Sequence, residues 1–372
     1  MVSRLFSPAG GLELYCHKIV EGLLDRGVHV TVLCEENQSK LEHPHLKFQL
    51  FAKPAKGPKW RRLEEYLSLT THAVRHAGTF DIVHSQHHPM HSPDVVTFHN
   101  HTVSRLSEVG EAWEKLLNDC KVRFTRAYQH RDKVDKILST SAKCLVFTSK
   151  TCRDDFYKAF SLAEKPSVIS YPGASLASPS PQSAPNKTPS QTFTLLFVGK
   201  GFRKKGLDVL LKAMQVLKNS GENCQLLIAG LKERPLDTAR LFKLGLKGSV
   251  HYLGFRKDMD NVYAQADSIV LPSRIEPFGM APLQGMLRGL APIVSAVSGV
   301  AEVLSDNHDA LILKNHLDHK ELAGLIAELI HDRVKLTKIS ENAKITAESI
   351  TWDKAVDATI DAYQLVLTQK TN

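Results

Sequence analysis

What most restricts the fold of this chain is a rhythm of short, nearly continuous apolar runs. HVTVLC at 29–34, VVTFH from 95, CLVFTS from 144, TLLFVG at 194–199, CQLLIAG at 224–230, SIVLPS at 268–273 and APIVSA at 291–296 recur between stretches with helical spacing of apolar residues. A strand that is apolar at successive positions is buried on both faces, and such strands belong to parallel sheets covered by helices on either side. Alternation with helix-like segments such as LELYCHKIVEGLLDRG and LDVLLKAMQVLKNSG therefore predicts βαβ units in both halves, an α/β fold. DIVHS from 81 and VHYLG at 250–254 extend the series.

The rhythm breaks clearly at residues 174–192, where Pro179, Pro181, Pro185 and Pro189 stand among five serines and little could pack in a core. At 372 residues the chain is long enough for two domains. We expect one over 1–173, a linker over 174–192 and a second over 193–350. In doubly wound sheets a ligand binds at the carboxyl ends of the strands, so the site is expected in a cleft between the domains.

Composition narrows the function classes. With 42% hydrophobic and 23% charged residues the chain is globular, and no apolar run approaches the ~20 residues of a membrane span. No secretory leader opens it, and six cysteines without a CxxC pair argue against a zinc finger, a redox motif or a disulfide scaffold. A reducing cytoplasm is the expected location. The net charge of +9 implies an anionic partner, for which nucleic acid, a nucleotide-linked substrate and an anionic membrane surface all qualify.

Three segments carry candidate chemistry. Gly10 and Gly11 follow a short opening strand and precede a helix, where backbone N–H groups could approach an anion or a sugar hydroxyl, although such a pair can equally be a plain turn. Lys200, Arg203, Lys204 and Lys205 form a basic loop between a strand and the helix that Gly206 introduces, either a diphosphate cradle or a solvated turn. In EPFGMAPLQGMLRG, Glu276 ends a strand and is followed by Phe278, Gly279 and Met280 at a helix start. The carboxylate could accept hydrogen bonds from sugar hydroxyls while the three N–H groups face the same site; an ordinary helix start is the bland account.

On these residues the chain resembles the retaining glycosyltransferases of family 4, which have the two-Rossmann-domain GT-B fold. PAGGLELYCHKIVEGLLDRGVHVTVL, DIVHS, VVTFHN and VISYPGAS are similar to segments of the family's first domain. VGKGFRKKGLDVLLKA, VHYLGFRKDMDNVYAQADSIVLPSRIEPFG and SGVAEVL follow the order of its second. The KKG form of the basic loop is closest to the lipopolysaccharide core glucosyltransferases. TWDKAVDATIDAYQLVL resembles the family's final helix, so residues 351–372 are expected to return to the first domain.

The resemblance implies a nucleoside-diphosphate sugar as donor, UDP-linked by preference, bound mainly by the second domain, with a glycan or glycolipid acceptor against the first. Lys200 and Lys205 would neutralise the diphosphate in place of a divalent metal, so no metal or cofactor is expected. Glu276 with the amides of Phe278 to Met280 would hold sugar hydroxyls, and His99 would lie near the reacting sugar. Gly10, Gly11, Arg203, Lys204, Arg256 and Gln284 complete the implied donor site. Gln284 departs from the family, which has a second glutamate there for the ribose. The opening MVSRLF departs too, supplying about half of the usual first strand, so either the start lies upstream or the sheet begins short.

Other patterns are read as structural. Asp258-Met259-Asp260 matches a metal motif of a different glycosyltransferase fold, but its place before DMDNVYAQAD predicts helix capping. His84, His87, His88 and His91 lack helical metal spacing and are expected to line a cleft. Lys53, Lys56, Lys59, Arg61 and Arg62 around Trp60 suggest a solvated loop or peripheral contact with an anionic membrane, on the cytoplasmic face of the inner membrane. Gln284 also motivates an alternative, a catalytically silent homologue that binds nucleotide or glycan. An NAD-dependent oxidoreductase lacks its G-x-G-x-x-G, and a nucleic-acid binder lacks any helix-turn-helix or aromatic-rich sheet motif.

Overall fold

The computed structural model describes residues 1–175 and 192–371. They form two compact units, one of residues 1–173 with the helix Trp352–Thr371, the other of the described residues from 174 to 351. The predicted linker, 174–192, lies outside the described residues except at its ends.

The second unit is a six-stranded parallel sheet. In spatial order its strands are Val250–Gly254, Cys224–Ala229, Phe193–Val198, Ser268–Leu271, Ala291–Ser295 and Leu311–Leu313. Numbered along the chain this is 3-2-1-4-5-6, the doubly wound order, and the direction of winding reverses between Phe193–Val198 and Ser268–Leu271. The continuous apolar runs are explained by burial on both faces, with Leu195, Leu196, Phe197, Ile269, Val270, Ile293 and Val294 removed from solvent. The helix Leu207–Asn219 buries Leu207, Leu210, Leu211, Met214 and Leu217, one face at 3.6-residue spacing.

The first unit is also parallel. Val30–Cys34 pairs with Leu46–Leu50, and His84–Ser85, Val95–Phe98, Cys144–Phe147 and Ser167–Ile169 follow in order. The opening residues join these two ladders: Val2 bridges both Leu33 and Ser85, donating to His84 O at 2.8 Å and accepting from Gln86 N at 2.8 Å. The strand assigned at Leu5–Phe6 pairs instead with Glu36–Asn37. The run expected as a strand from residue 81 is shorter, His84–Ser85, because the Asp94 carboxylate takes the Val83 N–H that a ladder would use.

The helix Trp352–Thr371 closes the first unit's core. Ala355 and Val356 pack with Ile19, Val20 and Leu23, while Ala362 and Val366 cover Val95, Cys144 and Val146. Gly22, inside the helix Leu12–Asp25, makes this approach possible, since a Cβ there would lie 2.4 Å from Val356 Cγ2. A mid-helix glycine costs roughly 0.5–1 kcal/mol against alanine, so its presence here reflects packing.

Candidate functional site

In the second unit the loops at the reversal point come from the two strands that flank it, and they contain the basic loop and the Glu276 segment. Residues 199–206 follow the strand Phe193–Val198, and Pro272–Gly279 follow Ser268–Leu271. Gly206 joins them. Its φ is +74°, and a Cβ would sit 1.9 Å from the Pro272 carbonyl oxygen, so only glycine lets the helix Leu207–Asn219 begin against that strand exit.

A buried arginine fastens the same two loops. Arg274 donates through Nη1 and Nη2 to the two carboxylate oxygens of Asp208 at 2.7 and 2.8 Å, and through Nη1 to Arg203 O at 2.7 Å. Its own N–H donates to Lys204 O at 2.9 Å. The basic loop is thereby held in the geometry that brings the Lys205 ammonium onto the carboxylate of Glu276, an ion pair in which Glu276 is buried. Ser273 Oγ donates to the same carboxylate oxygen at 3.4 Å.

The Glu276 segment is pinned from its other side. Glu276 O accepts from Gly299 N at 3.1 Å, Phe278 O from Val300 N at 2.6 Å, and Ser295 Oγ donates to Ser273 O at 2.7 Å while sharing a hydrogen bond with Ser298 Oγ. Gly279, at φ +113°, turns the chain into the seven-residue helix Met280–Met286 and, being glycine, offers no side chain to cap it.

The remaining implied donor residues divide. Lys200 is exposed, its ammonium 5.9 Å from the Phe255 ring. Arg203 lies 3.8 Å from Asp208, and Lys204 contributes its carbonyl to the clamp. Arg256 is brought to neither Lys205 nor Glu276 but forks onto Asp258 at 2.8 and 2.5 Å. Gln284 is half-buried and accepts from Tyr263 OH at 3.3 Å. Burial pushes the Tyr263 phenol up to about 12, so it stays a donor.

In the first unit, Gly10 adopts φ +107° and Gly11 caps the helix Leu12–Asp25 with open space where a Cβ would be. His99 stands edge-on to Tyr15 at 4.8 Å and meets Gln86 Oε1 through Nε2 at 2.8 Å. Burial and the neighbouring His87 and His84 hold its pKa well below the usual histidine value. A neutral ring donating from Nε2 presents Nδ1 as an acceptor.

Two readings need correction. Asp258 occupies the N-cap position of Met259–Ala264 but makes no side-chain cap; its carboxylate is spent on Arg256, and Asp260 takes Arg288 Nε at 2.7 Å. Of the histidines expected to line a cleft, His84 and His88 are core residues bonded to Thr97, Tyr363 and Thr70, because hydroxyl partners satisfy both rings inside the fold. His87 pairs with Asp135 at 2.8 Å and His91 is exposed. Among the described residues no cluster of His, Cys, Asp and Glu could hold a metal, and no helix is long and apolar enough to cross a membrane. The basic stretch is partly offset, with Lys53 at 3.6 and 3.5 Å from Glu35 and Glu36.

Sequence reasoning missed Asp208, Arg274, Ser273, Ser295 and Ser298. An arginine inside the otherwise apolar strand exit SIVLPSRIE, with an aspartate opening the next-door helix, was the available signal.

Comparison with known proteins assigns the class. The family described as Glycosyltransferase Family 4 matches residues 9–177, and that described as Glycosyl transferases group 1 matches 180–346. The chain belongs to the family 4-like glycosyltransferases of GT-B fold. It is 25% identical to the uncharacterized glycosyltransferase MJ1607 of Methanocaldococcus jannaschii, over 99% of this chain and 98% of that one. The lipopolysaccharide glucosyltransferase WaaG of Escherichia coli is 23% identical over 92% of each chain. In fold, a crystal structure of WaaG aligns with TM-score 0.76 and 21% identity, covering 97% of this chain and 98% of that one. Anabaena HepE in complex with UDP-glucose aligns with TM-score 0.67 and 18% identity over 100% and 98%.

Proposed function

We propose that the protein transfers a hexose with retention from a UDP-linked or similar nucleoside-diphosphate sugar to a cell-surface glycan or lipid-linked acceptor such as lipopolysaccharide core, without a divalent metal. The observation that carries this reading is the Lys205–Glu276 pair, a cation and a carboxylate brought together at the reversal point of a doubly wound sheet. Lys205, with Lys200, supplies positive charge where a diphosphate leaves, and Glu276 with the N–H groups of Phe278, Gly279 and Met280 orients sugar hydroxyls. Until donor arrives, each charge partners the other. Gln284 faces the ribose, Gly10 and Gly11 allow close backbone approach, and Arg203 and Lys204 add positive field. Neutral His99 accepts a hydroxyl through Nδ1.

In the transfer, the bond from the anomeric carbon to the diphosphate oxygen breaks and the acceptor oxygen bonds to that carbon on the same face. The departing phosphate oxygen takes the acceptor proton. The likeness to the lipopolysaccharide glucosyltransferase WaaG supports a glycan acceptor, and that to HepE with UDP-glucose supports the UDP donor. This reading puts the enzyme in the cytoplasm, at the inner face of the membrane that would carry its acceptor.

A panel of UDP-, GDP- and ADP-sugars, with EDTA and candidate acceptors, read by released nucleoside diphosphate, tests this. Turnover that Glu276→Ala and Lys205→Ala each abolish is expected. Binding without turnover in every combination overturns the reading in favour of a silent homologue.

A further inference from the structure

His99, which receives a hydroxyl in the function proposed above, stands on a stretch of chain that no ladder or helix holds. Residues 99–102 follow the strand Val95–Phe98 and belong to neither strand nor helix. Such a stretch keeps one place only where side chains take up its backbone groups. Here one buried carboxylate, that of Asp135, reaches both ends of the span His99–His101. At the near end the His99 N–H donates to His87 Nδ1 at 3.4 Å, which leaves the His87 ring proton on Nε2, and Nε2 donates to Asp135 Oδ1 at 2.8 Å. At the far end Arg131 Nε lies 3.6 Å from Asp135 Oδ2, and Arg131 Nη2 donates to His101 O at 3.1 Å. Between them Asn100 O accepts from Cys152 Sγ at 3.3 Å.

Packing gives no reason for an aspartate at this place. Asp135 has 2% of its side chain exposed and lies on the face of the helix Arg126–Ser141 that buries Val134 and Leu138 in the core. A carboxylate there costs stability unless it is paired, whereas an apolar residue of similar size would not. Among the described residues its Oδ2 makes no hydrogen bond, so the charge is spent on one imidazole and one guanidinium, and both lead to the same three residues. His87 is strained to the same end. Its φ is +51°, a left-handed backbone that a residue with a side chain rarely takes. Consecutive residues then hold His99 twice, Gln86 Oε1 at the ring Nε2 and His87 Nδ1 at the backbone N–H.

We propose that Asp135 is a positioning residue for sugar transfer, acting through His87 and Arg131 to fix where His99 presents Nδ1. The proposal rests on the function proposed above, in which that nitrogen meets a hydroxyl. Asp135→Asn keeps the volume and one acceptor oxygen but loses the charge, and should lower kcat about ten- to a hundredfold, the cost of a supporting contact that lets a reacting group drift. UDP affinity, set by residues of the second unit, should be unchanged by calorimetry. In a His99→Ala background the same substitution should lower kcat no further, because the group being positioned is gone; an aspartate that merely holds the fold together would multiply the two losses. Arg131→Gln, at a side chain 35% exposed, leaves the buried pair intact and should lower kcat several-fold, again only while His99 is present. Nitrogen-15 spectra of the histidine rings in the full chain should show His87 protonated at Nε2 and bare at Nδ1, and Asp135→Asn and Arg131→Gln should each move the His99 ring signals. An unchanged kcat in both variants, losses that multiply with His99→Ala, or His99 signals that neither variant moves overturns the positioning role. A wild-type chain that turns over no donor defeats the transferase reading alone, and the ring signals then decide the positioning by themselves.

Discussion

Asp208→Asn isolates the clamp beneath the basic loop. Arg274 and Asp208 have only 5% and 14% of their side chains exposed, and the guanidinium gives two hydrogen bonds to the Asp208 carboxylate. Removing one charge of a buried pair costs ~3–5 kcal/mol, because the other stays buried without compensation. Asparagine keeps one acceptor oxygen and Arg203 O remains, so the lower end applies, about 3 kcal/mol. At about 2–4 °C per kcal/mol for a domain of this size, calorimetry should show the second unit's transition about 6–12 °C lower. Replacing both partners, Asp208→Leu with Arg274→Met, should fall within ~1 kcal/mol of the wild type, since no orphaned charge is left. A single variant that loses less than ~1 kcal/mol, or a double variant as unstable as the sum of its parts, would refute the view that charge pairing carries this joint.

Further outcomes follow from other parts of the structure. Gly206→Ala must combine a left-handed backbone with a Cβ 1.9 Å from Pro272 O, for about 2–5 kcal/mol in all, while Gly201→Ala, whose Cβ would approach no nearer than 3.3 Å to Lys205 Cγ and 3.4 Å to Lys204 Cβ, should cost under ~1 kcal/mol; urea unfolding compares them. His84 and His88 are held near 3 by burial and His99 well below its usual value, so the unfolded chain binds protons that the folded chain refuses. Their stabilisation is present above pH ~6.5 and is lost on acidification, about 3 kcal/mol between pH 6.5 and 5.5 from the three together. Unfolding by urea across that range should show the slope, and His84→Gln should remove about a third of it. Gln284→Glu keeps the acceptor for Tyr263 and adds a charge-assisted one for a ribose hydroxyl, so UDP should bind about five- to tenfold tighter by calorimetry; no change would place the ribose elsewhere.

The sheets were legible because buried parallel strands write continuous apolar runs, and the observed strands at 193–198, 224–229 and 268–271 fall inside or against those runs. The run at 81 misled because Asp94, eleven residues on from Val83, competes for its N–H through a side chain that periodicity ignores. Of the site, Lys205 and Glu276 were visible as a basic loop and a carboxylate at strand exits, yet nothing in a one-dimensional pattern says that they touch across 71 positions. Arg274 and Asp208 left only a faint mark, a charge in an apolar strand exit and an aspartate at a helix start, and nothing in it says that the fold encloses both together.

The first unit is cut from two pieces of chain, and this has a consequence for its birth on the ribosome. The segment that fills the space beside Gly22 and caps Val95, Cys144 and Val146 is made after the second unit. The second unit is contiguous and can fold as it appears, whereas the first must wait with an apolar trough uncovered until residues 352–371 arrive. The order of synthesis and the order of completion are therefore opposite. The interval between them is when the nascent chain most needs a chaperone, and a stop shortly after residue 351 would leave one finished domain tethered to one that can never close.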